Sequence, residues 1–201
     1  MPKICTVPAM HRRTGLQLAL LAASLLAVQG ARADENDMWA LLKKPGHMAL
    51  LRHSNAPETP IETDSTNLKN CAIQRNLDEA GRAQARRIGD EFRKHGITRV
   101  RFVSSQYCRA LETAKLTKLG PVRELPALNL VFTSEFSAMR ETAEKTRKFM
   151  KTIPANRLTV FVSHVGNIQS IAHVVLSSGE IAVVHIDAAG AVVVDGRIMV
   201  P

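Results

Sequence analysis

Met48-Ala49-Leu50-Leu51-Arg52-His53 decides the fold. Four apolar residues without a polar break, stopped by two basic ones, read as a strand buried on both faces, because a strand with one wet face alternates apolar and polar side chains. Two further runs read the same way: Val100–Val103, which stops at Ser104-Ser105, and Leu158–Val162, which stops at Ser163-His164. Helical patterns lie between and after them. Glu79–His95 places Ala85, Ile88 and Phe92 on one face with Asp78 as N-cap, and Arg109–Lys118 and Arg140–Thr152 are further helical stretches. Strands alternating with helices predict the α/β class, with helices covering a mostly parallel sheet. At the end of the chain, Ile181–Ile186 and Ala191–Val194 flank the turn Asp187-Ala188-Ala189-Gly190, which predicts a terminal hairpin finishing one edge. The one long loop is Asn55–Asn76, rich in Pro, Thr, Asn and Asp, and loops of that length are functional or disordered. No internal repeat or low-complexity tract interrupts the pattern.

Residues 1–33 read differently. Lys3, Arg12 and Arg13 precede the apolar run Leu16–Val28, and Ala31-Arg32-Ala33 supplies small residues for cleavage. That is the form of a secretory signal peptide. The run of 13 residues is too short to span a hydrocarbon core of about 30 Å as a helix, so an uncleaved anchor is the lesser reading. The Arg12-Arg13 pair admits a twin-arginine signal, but its surroundings give ordinary Sec export more weight. With cleavage after Ala33, residues 34–201 are expected as a single domain, periplasmic or secreted, with no membrane anchor. Losing Lys3, Arg12, Arg13 and Arg32, and no acid, takes the formal charge from +9 to +5, a balance suited to anionic substrates. Nucleic acid is not expected as a partner: the chain has one Tyr and one Trp, no aromatic–basic interleaving and no metal-finger spacing.

Function is read from where the strands stop. In an open α/β sheet, ligands bind beyond the carboxyl ends of the strands, where helix N-termini also offer N–H groups to anions. Arg52, His53, Arg109 and His164 would meet there. Such a cationic cluster is costly unless an anion fills it, and a phosphoryl group fits. A neutral imidazole is a competent nucleophile toward phosphorus, and arginine forks grip phosphoryl oxygens bidentately.

Four stretches carry a resemblance: Arg52-His53; Asn76-Leu77-Asp78-x-x-Gly81-x-x-Gln84-Ala85; Ser104-Ser105-x-x-x-Arg109-Ala110-x-x-Thr113-Ala114; and Val162-Ser163-His164-x-x-Asn167. In this order the chain resembles the histidine phosphatase superfamily, which includes phosphoglycerate mutases and acid phosphatases. The resemblance implies a phosphoglycerate mutase-like three-layer α/β/α sandwich and a phosphoric monoester hydrolase. It makes His53 the phosphorylated nucleophile, Arg52 and Arg109 the phosphate clamp, and His164 a stabilising neighbour of the phosphoryl group. It implies no cofactor and no metal.

Two positions depart from the family pattern. Ser54 stands where the family has glycine after the nucleophile, and its hydroxyl can add a hydrogen bond to phosphate. The proton donor is less clear: one branch has a Glu where this chain has Asn129-Leu130, another an Asp where it has Val165. Glu135, Glu141, Glu58 and Glu124 are the candidates, and Glu135 is preferred because it opens a segment that can fold over the site. His47, His173 and His185 have no partner readable from sequence and receive no role.

The expected substrates are small phosphorylated molecules met after export, such as sugar phosphates or cell-envelope glycan phosphates, although no residue names one. Two other functions stay open: a phosphohistidine-protein phosphatase, and a non-catalytic phosphate- or anion-binding protein that has lost its acid. Finally, Cys71 and Cys108 are the only thiols left once Cys5 goes with the signal. Cys108 directly precedes Arg109 and Cys71 sits near the end of the long loop, so a disulfide tying loop to clamp is expected in an oxidising compartment; two free thiols are the alternative.

Overall fold

Strand β1 (Met48–Arg52) is buried along its first four residues, and its side chains divide between two cores. Ala49 and Leu51 join one hydrophobic cluster, Met48 and Leu50 the other. Burial on both faces is what an unbroken apolar run requires, and it makes the molecule three-layered. The computed structural model describes residues 35–58, 67–131 and 136–200. The expected signal segment, 1–33, and Glu135 lie outside the described residues.

Three helices cover the first face: α1 (residues 35–41), α2 (Glu79–Lys94) and α3 (Cys108–Leu116). They contribute Trp39, Ile88, Phe92, Ala110 and Ala114 to its core. The second face is covered by α4 (Phe136–Met150) and α5 (Val165–Ala172), through Ala143, Met150, Ile168 and Ile171. Each fully buried side chain of the size of Ile88 or Phe92 contributes about 1.5–3 kcal/mol relative to exposure.

The remaining strands are β2 (Arg101–Ser104), β3 (Val122–Glu124), β4 (Thr159–Ser163), β5 (Ile181–Ile186) and β6 (Val192–Ile198). They form one sheet in the order β3-β2-β4-β1-β5-β6. β3, β2, β4 and β1 are parallel, whereas β5 runs antiparallel to β1 and pairs with β6 as the expected hairpin. Helices α1 and α5 lie where the sequence reading placed none, and two details of the sheet also differ from it. β3 was not expected, because Val122-Arg123-Glu124 offers one apolar residue; its pairing with β2 comes from backbone, not from a buried face. β6 continues past Val194 to Ile198, beyond the polar Asp195-Gly196-Arg197, across an irregularity in its register.

The second motif acts through α2. Asp78 caps the helix, its carboxylate accepting from Gly81 N at 2.7 Å, worth roughly 1 kcal/mol. A Cβ on Gly81 would stand 1.9 Å from the Asn55 carbonyl, so glycine lets the chain leaving His53 lie directly on the helix. Gln84 then accepts from Asn55 N at 2.9 Å and donates to the Ser178 carbonyl at 2.9 Å. α2 therefore fixes the backbone on both sides of Arg52-His53. Among the described residues, no helix is long and apolar enough to cross a membrane.

Candidate active site

Strand register brings the four predicted residues together. Arg52 lies opposite Ser163 and Ser104 opposite Val162; His53 N then donates to Ser163 O at 3.0 Å and Ser105 N to Val162 O at 2.9 Å. His53, Ser105 and His164 thus leave the sheet at one level. α3 and α5 begin at the same place, with Tyr107 and His164 as their N-caps, so two positive helix ends face this level.

His53 is only 2% exposed. Its Nδ1 lies 2.8 Å from the Ser54 carbonyl; since a carbonyl only accepts, Nδ1 carries the proton and Nε2 the lone pair. Arg109 Nε donates to that Nε2 at 3.3 Å. Burial first, and the Arg109 charge second, lower the His53 pKa to about 3, so the ring is neutral at neutral pH. His164 is held well below its ordinary pKa by burial, then by His53 and Arg109. Its ring centroid is 5.3 Å from that of His53, and its Nε2 is 2.8 Å from Ser105 Oγ.

Arg109 is fully buried. Its Nη1 donates to the Arg75 carbonyl at 3.2 Å and its guanidinium lies 4.8 Å from the centre of the Tyr107 ring. Arg52 Nη1 donates to the Leu176 carbonyl at 2.8 Å; burial and Arg75 lower its pKa while Glu180 opposes them. Ser54 is buried, and its backbone N–H donates to Thr113 Oγ1 at 3.0 Å. Thr113 in turn donates to the Arg109 carbonyl at 2.7 Å, joining the loop after His53 to the helix that carries Arg109.

Three polar atoms in this group, Arg52 Nε, Ser54 Oγ and His164 Nδ1, are buried without a hydrogen-bond partner among the described residues. Each such atom costs about 1–3 kcal/mol. A tetrahedral oxyanion, with several acceptor oxygens and negative charge, answers both the unpaired donors and the cationic surroundings. A neutral imidazole nitrogen beside it can attack phosphorus.

The predicted acids fare differently. Glu141 is exposed and bonded to Lys145, which lowers its pKa, the wrong direction for a proton donor. Glu124 is exposed and accepts from Gln106 Nε2 at 3.0 Å, and Glu58 is exposed. Asn129 is bound into the site: its Oδ1 accepts from Gln106 N at 2.8 Å and from Ser105 Oγ at 3.2 Å. An amide there orients Ser105 against His164 but has no acidic proton to give.

Three contributors escaped the sequence reading. Arg75 bears on His53, His164 and Arg52 through its charge, Tyr107 packs between Arg109 and His164, and Glu180 sits buried near Arg52. Arg75 directly precedes the motif that begins at Asn76, the one signal that points to it. Cys71 and Cys108 are disulfide-bonded, with Cα atoms 5.8 Å apart. The bridge holds the Arg75 segment against the start of α3, with Cys108 N donating to Gln74 Oε1 at 2.9 Å.

A family model described as the histidine phosphatase superfamily (branch 1) matches residues 49–153, a span that holds Arg52, His53 and Arg109 and stops short of His164. No curated protein matches the chain. Solved structures similar to it include the protein histidine phosphatase SixA complexed with tungstate, 15% identical, with 76% of this chain and 96% of that one covered at a TM-score of 0.55. Phosphoserine phosphatase from Entamoeba histolytica in complex with 3-phosphoglyceric acid is 15% identical, covering 76% and 96%, at 0.54. A mycobacterial glucosyl-3-phosphoglycerate phosphatase, complexed with VO3, is 16% identical, covering 74% and 96%, at 0.55. At these identities the likeness is one of fold.

Proposed function

Because the chain belongs to the histidine phosphatase superfamily, we propose that residues 34–201 form an exported phosphomonoesterase that works through a phosphohistidine at His53. The observation that carries this reading is a buried, neutral His53 with Nδ1 pinned to a carbonyl and Nε2 beside Arg109. Nε2 attacks phosphorus while Arg52 and Arg109 hold the non-bridging oxygens, and the bond to the leaving oxygen breaks. His164, held neutral chiefly by burial, accepts from Ser105 Oγ at Nε2 and donates from Nδ1 to the phosphoryl group. Glu135 protonates the departing alkoxide. Water then attacks the phosphohistidine, giving its proton to the same carboxylate, and orthophosphate leaves with His53 restored.

The substrate class is a small phosphate ester, with sugar phosphates and envelope glycan phosphates as the candidates met after export. Tungstate and VO3 in the similar structures support an oxyanion-filled pocket. Asn129 favours one second reading, an anion-binding protein without turnover. A nitrophenyl phosphate separates the two, since its leaving group needs little protonation. Release of nitrophenol that vanishes in His53→Ala supports the enzyme; saturable vanadate binding with no release establishes the binding protein instead.

A further inference from the structure

A second group of chemistry-bearing side chains stands at the opposite end of β1. Met48 pairs with Val184 in the antiparallel β1–β5 register, so His47, one residue earlier, lies opposite His185. On the far side of β5, Val184 pairs with Val194 but Val183 pairs with Gly196, which leaves Asp195 as the extra residue of a β-bulge. Bulges re-aim side chains that the regular pleat would send elsewhere. Here the bulge brings Asp195 Oδ1 and Oδ2 to 2.9 and 3.0 Å from His185 Nδ1, and Oδ2 to 3.8 Å from His47 Nε2. One ligand atom from each of the three residues lies within 4.8 Å of the other two. His47 and His185, which sequence alone leaves without partners, therefore share one.

We propose that His47, His185 and Asp195 bind a divalent transition-metal ion of the zinc class, stapling β1 to the terminal hairpin. Two imidazoles and one carboxylate are a donor set for such ions. Ligand atoms at about 2.0–2.1 Å from a tetrahedral ion lie roughly 3.3 Å apart, between the 3.0 and 3.8 Å that separate Asp195 Oδ2 from His185 Nδ1 and His47 Nε2. Binding replaces the proton that His185 Nδ1 shares with Asp195. His47 Nδ1 is buried without a partner among the described residues, so no competing hydrogen bond fixes that ring against turning toward an ion. The three residues, with Pro45, Gly46 and Ile186, line an open concavity of about 320 Å³, which gives water access to a fourth coordination position. His47 and His53 flank the five residues of β1, about 20 Å apart at 3.3 Å per residue, so the ion takes no part in phosphoryl chemistry. The proposal does not depend on the phosphatase reading.

The test uses the mature, tag-free protein, stripped with chelator and titrated with zinc chloride by calorimetry and with cobalt(II) by absorption. One ion per chain is expected, with the d–d spectrum of a tetrahedral nitrogen–oxygen site. Asp195→Asn and His47→Gln, each conservative and each checked by circular dichroism, should weaken zinc by at least about tenfold, the cost of losing even an outer-sphere partner. Nitrophenyl phosphate turnover without metal should be unchanged in both. No saturable binding by the wild type means a hydrogen-bonded cluster only. Equal affinity in the wild type and either folded variant places the ion elsewhere. Both results overturn the proposal.

Discussion

Replacing Arg109 by alanine should do two separable things. Arg109 Nε lies 3.3 Å from His53 Nε2, the nitrogen proposed to attack phosphorus, so a phosphoryl group arriving there would meet its guanidinium. Losing one charge-assisted clamp on a transferring phosphoryl group costs on the order of 3 kcal/mol, or ~100-fold in kcat/KM. The second effect is on the nucleophile. After burial, Arg109 is the largest influence holding the His53 pKa down to about 3, so its removal raises that pKa toward the ordinary imidazole value. Protonated His53 cannot attack. The acidic limb of the rate profile therefore moves to higher pH, and the deficit of Arg109→Ala against wild type widens as pH falls. Arg109→Lys keeps the charge without the fork; it should restore the profile more than the rate, and it controls for the cavity left by a buried side chain. The assay is kcat/KM for a nitrophenyl phosphate across about pH 4–8, with melting temperatures for each variant. A wild-type rate removes Arg109 from the site, and a deficit constant across pH refutes the coupling between clamp and nucleophile.

Other outcomes are expected on the same geometry. A brief pulse of labelled substrate should leave acid-labile phosphate on the wild type and none on His53→Ala; label on the variant places the intermediate elsewhere. His53 is neutral when folded down to about pH 3 but titrates near 6.5 unfolded, so its contribution is complete above about 6.5 and is lost as pH falls. At pH 5 that loss is roughly 2 kcal/mol, with His164 adding in the same direction; urea unfolding that shows equal or greater stability at pH 5 than at pH 7 contradicts it. Cys71→Ser with Cys108→Ser should cost about 4 kcal/mol by the chain entropy of a loop of 37 residues, measured as a fall in urea midpoint with a steeper slope, because the unfolded chain without its cross-link exposes more surface. Turnover should survive EDTA, because arginines and histidines supply the positive charge; loss reversed by added metal would falsify the metal-free mechanism.

The parts of the fold legible in the sequence were those with a strong local cause. Met48–Leu51 is apolar at every position because both its faces are covered, and Asp78 announces a helix because an unpaired N–H needs an acceptor. β3 was illegible: its reason to exist is the free edge of β2, which only the assembled sheet supplies. Arg52, His53, Arg109 and His164 were readable as neighbours because each sits at or beside the end of an element. Tyr107 and Arg75 were not, since their contribution is a ring face and a charge delivered across the fold. Asp195 shows the limit most sharply. Gly196 inside β6 is compatible with a bulge but does not say which side chain it re-aims, so the meeting of Asp195 with His47 and His185 exists only in three dimensions.

The Cys71–Cys108 bridge carries a consequence for when this fold is completed. It fastens the segment bearing Arg75 to the residue before Arg109, so a reduced chain lacks the covalent tie that completes its anion pocket. Under the export proposed above, synthesis takes place where thiols stay reduced, so the tie would form only after translocation. A route that threads the polypeptide unfolded, and lets it oxidise on arrival, puts these events in the order the bridge requires.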